Sequence, residues 1–415
     1  MSGAAPTRVG PKRIAARLAT AAVLATMALF GCAGPTRMAA PPAPADVRAD
    51  PGVAEVRYFV ARDPGAFEAA AREAFRRELA WRASTGQTGP LPPVNFLAIS
   101  GGGHDGAFAA GLLNGWTAHG DRPEFKAVTG ISTGALIAPF AFLGPRYDGT
   151  LKDLYTNISQ ADIYRKRLPF SALFNDALSS TEPLARLTSH YVTRQLLDEI
   201  AAEYAKGRML LIGTTDLDNL EPVVWNMTAI AASHDPHAVE LFREVLMASA
   251  AIPGAFPPVM INVTLDGVHY QEMHVDGGVA AQVFTYPPSL NVGQLSANIG
   301  AVRERKLYII RNARLDPDWA NTKRRTLSIA GRAIASLIQT QGVGDLYRIY
   351  VTARRDHIDY NLAFIPSTFT TVATEQFDTA YMRTLYQTGY DLGAKGYVWS
   401  KTPPAYQEAT FAPAN

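Results

Sequence analysis

The stretch Gly130-Ile131-Ser132-Thr133-Gly134 constrains the fold of this chain more than any other. Residues 125–129 before it suit a short strand, and the apolar residues 135–143 after it suit a helix. A serine between a strand and a helix, with a glycine two positions away on each side, is typical of a nucleophile elbow. Its flanking residues must be small because the turn is tight, and glycine also accepts positive φ. A plain Gly-Ser-Gly turn would give the same letters.

A second glycine-rich stretch, Gly101-Gly102-Gly103-His104-Asp105-Gly106, follows the apolar residues 95–100 and precedes a predicted helix over residues 107–118. Glycines let backbone N–H groups approach an oxygen atom closely, and the N-terminus of a helix adds positive potential. The stretch superficially resembles a nucleotide-binding loop. However, its spacing is not Gly-x-Gly-x-x-Gly, and no lysine follows as in a P-loop. We therefore predict a loop that binds an oxyanion.

Apolar runs and helical periodicity alternate along the rest of the chain. Strands are predicted at residues 95–100, 125–129, 209–213, 222–226 and 306–310, with a hairpin around Asp266-Gly267. Helices are predicted at residues 107–118, 193–205, 235–250, 325–341, 343–353 and 376–394, and residues 145–206 are less regular before residue 193. The alternation predicts an α/β domain with a largely parallel sheet.

The amino terminus has the pattern of a cleaved leader. Four basic residues before residue 18 precede an apolar stretch at 18–30, which is too short to span a bilayer comfortably. Leu29-Phe30-Gly31-Cys32 then resembles a bacterial lipobox, with Phe30 bulkier than usual. Cleavage before Cys32 would lower the formal net charge from +2 to −2, because four basic residues and no acidic residue leave. An ordinary secretory signal with an incidental cysteine is the alternative.

We expect Cys32, the only cysteine in the chain, to be acylated and to anchor the protein to a membrane. More than one acyl chain is needed for stable anchoring. By resemblance to such lipoproteins, Ala33 gives no inner-membrane retention signal, so the expected location is the outer membrane of the cell envelope. With a single thiol, no intrachain disulfide is possible.

The predicted organisation has five segments. They are a signal peptide at 1–31, an Ala/Pro-rich unfolded tether at 32–52, an N-terminal helical extension at 53–93, a catalytic domain at 94–400 and a tail at 401–415.

Composition excludes several classes of function. The chain is 47% apolar and 18% charged, as expected of a globular protein with a sizeable core. No basic stripe is interleaved with aromatic residues, so we do not expect a nucleic-acid partner. The histidines are scattered without the spacing of metal ligands, and we expect no metal and no cofactor.

A third motif, Asp276-Gly277-Gly278, follows the small-residue and proline stretch at residues 247–258. In this order, the three motifs resemble those of the patatin-like phospholipase family over about residues 94–285. The resemblance implies a three-layer α/β/α fold with a nucleophile elbow and a largely parallel central sheet. The combination is far more specific than any single motif.

The resemblance also implies a mechanism. Ser132 would be the nucleophile and Asp276 the base, acting without histidine. Backbone N–H groups of Gly102 and Gly103 would bind the oxyanion, while the other motif glycines shape the loops: Gly101, Gly106, Gly130, Gly134, Gly277 and Gly278. The reaction would hydrolyse an acyl ester, such as that of a phospholipid or lysophospholipid, through an acyl-serine intermediate. Because free aspartate has a pKa of about 3.9, the hypothesis demands partial burial of Asp276.

Other assignments compete with the dyad. His357 follows Asp276 in the chain, so Ser132, Asp276 and His357 match the order of an α/β-hydrolase triad. The residues around His357, however, resemble a solvated loop. His274 is interpreted as a structural neighbour of Asp276. His104 either lines the pocket or points to solvent.

Two features bear on the substrate. The family often has Arg or Lys where this chain has Asp105, which removes a positive charge beside the oxyanion loop and weakens the expectation of an anionic head group. The apolar residues 168–174 would form either a lipid-facing lid or buried cap packing. Two further functions fit the same motifs: an acyltransferase, and an inactive lipid-binding envelope lipoprotein.

Overall fold

The structure, a computed structural model, describes residues 36–167, 175–316, 319 and 321–406. The predicted signal peptide, Cys32 and the apolar residues 168–174 lie outside the described residues. Most of the predicted tail does as well, since residues 407–415 are not described.

The strands alternate with helices, as the sequence predicts. The strands are β1 (Arg57–Tyr58), β2 (Val94–Ile99), β3 (Phe125–Gly130), β4 (Arg165–Lys166), β5 (Ser179–Ser180), β6 (Met209–Asp216), β7 (Glu221–Asn226), β8 (Val259–Leu265), β9 (Val268–Asp276), β10 (Arg305–Arg311) and β11 (Asp359–Phe364). The helices are α1 (Pro64–Ser84), α2 (Gly106–His119), α3 (Thr133–Leu143), α4 (Asp148–Thr156), α5 (Gln160–Ile163), α6 (Glu182–Tyr191), α7 (Arg194–Ala205), α8 (Met227–Ala232), α9 (Ala238–Ser249), α10 (Val292–Asn298), α11 (Thr326–Arg355) and α12 (Thr379–Ala394).

The central sheet has a parallel core, in the order β6-β3-β2-β10-β11. Four antiparallel strands extend it beyond β6, where β7 and β9 both pair with β6, β1 pairs with β7, and β8 pairs with β9. Parallel strands need long crossover connections, which here are helices. The sheet is therefore largely parallel, as predicted.

Helices cover both faces of this sheet, which makes three layers. One face packs against α2, α3, α7, α8, α9 and α12 in the largest apolar cluster. The other face packs against α11 in a second cluster and against α1 and α10 in a third. The ends of β2, β3 and β10 that lead into the glycine-rich loop, the elbow and α11 all lie at one edge, here called the carboxyl edge.

Helices α2 and α12 touch backbone to backbone through glycines. A Cβ atom at Gly111 would lie 2.0 Å from the carbonyl oxygen of Tyr386, and one at Gly115 would lie 2.1 Å from that of Tyr390. Gly389 and Gly393 make the reciprocal contacts from α12, at 2.5 Å and 2.6 Å from carbonyl oxygens of α2. Since α2 begins at Gly106, this contact fixes the direction of the helix that carries the glycine-rich loop.

Several predicted boundaries differ from the structure. The patterns at 325–341 and 343–353 form one helix, α11, because Gly342 and Gly344 stay helical within it. The last helix begins at Thr379, where the side chain of Asp378 accepts hydrogen bonds from the first turn. The predicted start at Asp235 is a turn, and α9 begins at Ala238. Strand β11 was not predicted.

The N-terminal segment is part of the packed structure from Arg37 onward, since Arg37 pairs with Asp218 and the Ala39 carbonyl accepts a hydrogen bond from the Gln271 N–H. Residues 45–50, which composition predicted to be an unfolded tether, are held because buried Asp46 accepts hydrogen bonds from Arg62 at 2.6 Å and 2.8 Å. Asp50 forms an antiparallel bridge with Thr264. None of the helices in the described ranges combines the length and apolarity that a membrane crossing requires.

Candidate active site

Ser132 stands at the sharp turn between β3 and α3. Its backbone has φ 56° and ψ −125°, a conformation that is rare for a residue with a side chain. The flanking positions must be glycine, because any side chain there would clash with the backbone. A Cβ at Gly130 would lie 2.4 Å from the Gly134 carbonyl oxygen, and one at Gly134 would lie 2.3 Å from the Ile99 carbonyl oxygen. The positive φ thus falls on the serine itself, while the glycines provide the space.

Ser249 hydrogen-bonds the backbone of the elbow and links it to β6. The Ser132 N–H donates to the Ser249 hydroxyl at 3.0 Å, and that hydroxyl donates to the Gly213 carbonyl at 2.7 Å. Ser249 is fully buried at the end of α9. It belongs to the small-residue stretch at 247–258, but nothing in that stretch singled it out as a positioning residue.

Asp276 ends β9 at the level of the elbow. In the sheet register Gly130 lies beside Ile212, and Asp276 lies beside Thr214, two residues further along β6. The Asp276 carboxylate accepts a hydrogen bond from the Gly278 N–H at 2.7 Å. The structure thus places Asp276 beside Ser132, close enough for the Ser132 side chain to lower the pKa of the carboxyl, although the two residues are 144 positions apart in the chain.

Burial raises the pKa of Asp276 to about 6, against the opposing effects of hydrogen bonds from the Ser132 side chain and the Gly278 N–H. The residue is only 5% exposed. Removing a carboxylate from water disfavours its charged form, which is the cause of the shift. The carboxyl is thus a stronger base than a free aspartate and still ionised at neutral pH.

The glycine-rich loop lies beside this pair. A Cβ at Gly101 would lie 3.2 Å from the Cβ of Ser132, and one at Gly106 would lie 2.3 Å from the hydroxyl of Thr133. Gly102 and Gly103 have φ 156° and 58°. Within the described residues, the N–H groups of Gly102 and Gly103 donate no hydrogen bond, which leaves both amides open to an oxygen atom of a ligand.

Asn312, which sequence analysis missed, holds this loop in place. Its N–H donates to the Ser100 hydroxyl at 2.8 Å, and its side-chain amide donates to the Ser100 carbonyl at 2.9 Å. Its side-chain oxygen accepts from the Ala109 N–H at 3.2 Å. A Cβ at Gly102 would lie 2.3 Å from the Asn312 carbonyl oxygen, so only glycine fits. No motif marks Asn312 in the sequence.

The two glycines after Asp276 allow neighbouring atoms to approach the backbone closely. A Cβ at Gly277 would lie 2.4 Å from the Gly213 carbonyl oxygen. One at Gly278 would lie 2.9 Å from the Asp276 carboxylate, which the Gly278 N–H binds. Both glycines therefore keep the carboxylate close to β6 and to the loop.

His104 and Asp105 face the last helix. The Nδ1 atom of His104 accepts from the Phe377 N–H at 3.0 Å, and its ring packs against Tyr381. The Tyr381 hydroxyl donates to the Asp105 carboxylate at 2.6 Å, and burial raises the pKa of Asp105. Both side chains thus tie the loop to α12.

Arg311 places a positive charge close to the loop. It ends β10 beside β2, where Ile310 pairs with Ile99, and it is 2% exposed. Burial lowers its pKa to about 10, opposed by attraction to Asp345 and Asp105. Its guanidinium packs against Gly342, where a Cβ would lie 2.3 Å from Nη2. No hydrogen bond or ion pair of Arg311 is found among the described residues.

The histidine alternatives lie elsewhere. Strand β11, which His357 precedes, runs parallel to β2 through β10. The register places Asp359 level with Asn95, six residues before Gly101, so exposed His357 is about 20 Å away, at the opposite edge. The triad of Ser132, Asp276 and His357 is therefore wrong.

His274 is fully buried among structural partners. Its Nδ1 atom lies 3.0 Å from the Thr214 hydroxyl, and its Nε2 atom lies 3.2 Å from the Glu272 carboxylate. Glu272 in turn pairs with Arg57 of β1. Among the described residues, no group of three His, Cys, Asp or Glu side chains could hold a metal ion.

Comparisons with known proteins found one matching family and a similar solved structure. A family profile described as "Patatin-like phospholipase" matches residues 97–287, which include all three motifs. The crystal structure of VipD from Legionella pneumophila is similar over 73% of this chain, with 11% sequence identity and a TM-score of 0.34. The chain spans 66% of the length of that structure. No protein of curated function matches the chain in sequence.

Proposed function

We propose that this protein hydrolyses acyl esters of phospholipids or lysophospholipids at Ser132, because residues 97–287 match the model of the patatin-like phospholipase family, a family of lipid acyl hydrolases. One observation carries the proposal. The Ser132 side chain lies next to a buried carboxyl, that of Asp276, whose pKa it lowers, and beside a glycine loop whose Gly102 and Gly103 amides donate no hydrogen bond within the described residues. A nucleophile, a base and oxyanion donors are the parts that acyl transfer requires.

In the first half of the reaction, the Ser132 hydroxyl oxygen attacks the ester carbonyl carbon, and its proton passes to the Asp276 carboxylate. The carbonyl electron pair moves to its oxygen, which the N–H groups of Gly102 and Gly103 bind. Collapse of this intermediate expels the alcohol, which takes the proton from Asp276. An acyl-serine remains.

In the second half, water attacks the acyl-serine while Asp276 accepts its proton. Collapse releases the fatty acid and returns the proton to the Ser132 oxygen. Loss of one oxyanion donor in a comparable site slows catalysis by about 10²–10³-fold. Preorganised glycine amides are therefore expected to contribute as much as the base.

An apolar cluster beside the elbow supports an acyl substrate. Tyr164 and Phe256 are buried in it, and Leu136 of α3, one turn after Ser132, packs against it. Phe377, which also packs there, donates its N–H to His104 of the glycine loop. The cluster thus connects the nucleophile to the loop with apolar surface.

Arg311 supports a phosphate-bearing substrate. Asp105 replaces the basic residue that the family often has in the loop, but the buried guanidinium of Arg311 comes close to the same loop from β10. Its attraction to Asp105 opposes the effect of burial on its pKa. A positive charge therefore remains near the site, supplied by a different element.

The test is substitution of each member of the dyad. We predict that Ser132→Ala and Asp276→Asn each lower kcat for a p-nitrophenyl ester by at least about 10³-fold, because either change removes the activated nucleophile. Thermal unfolding should stay within a few degrees of the parent. His357→Ala is the matched control and should keep full activity, since His357 lies at the opposite edge of the sheet.

Retained turnover in either dyad variant would contradict this mechanism. Labelling of the parent by a fluorophosphonate probe separates the remaining alternatives. A protein that neither reacts at Ser132 nor turns over ester is the lipid-binding lipoprotein. Transfer of the acyl group to an added alcohol, in preference to water, identifies an acyltransferase.

We also propose that the mature protein starts at an acylated Cys32 and is anchored to the outer membrane of the cell envelope. The lipobox-like Leu29-Phe30-Gly31-Cys32 supports this. Mass spectrometry of the mature N-terminus is the test. A mature chain that begins elsewhere, or an unmodified Cys32, would contradict the anchor without affecting the catalytic proposal.

A further inference from the structure

Helix α11 is longer than the sheet it covers. Its 30 residues span about 45 Å, whereas the seven residues of β10 span about 23 Å. Residues 328–340 are exposed or half-buried, and burial begins at Gly342. The first half of α11, Thr326–Thr340, therefore extends beyond the sheet and is called the overhang below.

The overhang carries large apolar side chains in solvent. Ile334, Leu337 and Ile338 follow helical spacing on one face and are 57%, 70% and 42% exposed. Ile329, five residues before Ile334, is 54% exposed. Side chains of this kind rarely cluster on a free surface, and a contiguous apolar patch marks an interaction site.

The sequence of the overhang and of the segment before it carries positive charge only. From Trp319 to Gly344 the sequence has four basic residues and no Asp or Glu. Lys323, Arg324 and Arg325 precede the overhang and are exposed, and Trp319 is 86% exposed. An apolar face with an aromatic residue and a basic flank is typical of helices that lie on an anionic lipid surface.

The C-terminal end of the overhang adjoins the candidate active site. The Gln341 side chain donates to the Val279 carbonyl at 3.3 Å and accepts from the Gln282 side chain at 3.2 Å. Val279, three residues after Asp276, is itself 46% exposed. The apolar face and the site thus lie at the same edge of the sheet.

We propose that the overhang docks this protein on a lipid surface that carries anionic headgroups, with the active site facing the lipid. The purpose of docking rests on the proposed function, but binding itself needs no catalysis. A second copy of the chain is a poorer occupant, because two overhangs would bring basic residues of like charge together.

The test measures vesicle binding by a full chain that carries Ser132→Ala and Cys32→Ser, so that neither turnover nor the predicted acyl anchor contributes. Vesicles of phosphatidylcholine with roughly one quarter phosphatidylglycerol supply the anionic surface. In this background, the double change Leu337→Glu and Ile338→Glu should weaken co-sedimentation at least tenfold, because it removes apolar contact and adds like charge.

Val351→Glu is the matched control. Val351 is 66% exposed on the same helix but lies 14 positions after Leu337, about 21 Å along the axis. It should bind vesicles like the parent. Equal binding by the overhang variant and the parent, or equal loss in the Val351 variant, would overturn the proposal.

The charge requirement has its own test. Replacing Lys323, Arg324 and Arg325 by glutamine should weaken binding to the anionic vesicles at least tenfold, as should an increase in salt from about 0.1 to 0.5 M. Equal binding to pure phosphatidylcholine vesicles would overturn the anionic surface. A dimer in sedimentation velocity that Leu337→Glu dissociates would assign the face to a second copy instead.

A soluble ester separates docking from catalysis. With Ser132 restored, the overhang variants should turn over p-nitrophenyl butyrate at the parent rate, because Leu337 and Ile338 lie outside the catalytic groups. If the parent itself is inactive while vesicle binding behaves as described, the proposed function fails and the docking surface stands.

Discussion

Burial gives Asp276 the basicity that a free aspartate lacks. Its pKa of about 6 lies close enough to neutral pH that the carboxylate is present and can still accept a proton. The hydrogen bond from Gly278 limits the shift and also orients the carboxylate. One carboxyl can thus take the place of a histidine, provided that it is kept out of water.

This burial predicts the pH dependence of the reaction. Only the carboxylate form of Asp276 can accept the Ser132 proton, so kcat/KM should be constant above pH about 6 and fall about tenfold per pH unit below it. The measurement is the pH profile for a p-nitrophenyl ester. Circular dichroism over the same range is the control for acid unfolding. A profile that is flat from pH 4 to 8 would count against Asp276 as the base.

At the scale of elements, glycines decide how α2 and α12 meet. Gly111 and Gly115 face Gly389 and Gly393, and each leaves room for a carbonyl of the opposite helix. Helices with ordinary side chains pack 8–10 Å apart, and removing Cβ atoms allows a closer approach. The position of the glycine-rich loop therefore depends on the last helix of the chain.

We predict that Gly111→Ala destabilises the protein by about 1–3 kcal/mol, because a Cβ there would lie 2.0 Å from the Tyr386 carbonyl oxygen and the helices must separate. It should also lower ester turnover, since α2 carries the loop. Gly331→Ala is the control, because a Cβ in α11 at that position meets nothing within 4 Å. Denaturant unfolding of both variants is the measurement, and equal midpoints would refute the packing argument.

For the whole molecule, the N-terminal segment completes the sheet. Strand β1 pairs with β7, and Arg57 on β1 forms a buried ion pair with Glu272. Glu272 is fully buried and also contacts His274, two residues before Asp276. The segment thus reaches β9, the strand that ends at Asp276.

We predict that a chain starting at residue 94 does not fold stably, whereas a chain of residues 36–406 does. Losing Arg57 leaves Glu272 buried without its ion-pair partner, which typically costs about 3–5 kcal/mol. That is a large share of the roughly 5–15 kcal/mol that holds a domain together. Arg57→Met in the longer chain isolates this single contact. Cooperative thermal unfolding of the chain from residue 94, with an unchanged midpoint, would show that the segment is dispensable.

Local patterns determined the alternation of strands and helices, the α/β class and the three motifs, because each depends on residues that are neighbours in the chain. The same patterns did not yield strand β11, whose polar Asp359 and Asn361 hide its period, or the continuity of α11. Gly342 looks like a break in the sequence, but in the fold it is where the guanidinium of Arg311 packs.

The amino-acid sequence by itself determined which residues could perform the chemistry: Ser132 in an elbow, Asp276 before two glycines, and a glycine loop. Only the tertiary structure decided how they meet. The position of Asp276 relative to Ser132 is set by the sheet register between strands that are distant in the chain. Register likewise placed His357 at the far edge and brought Asn312 and Arg311 to the loop. Such contacts depend on pairing between segments remote in the chain, which leaves no local signal.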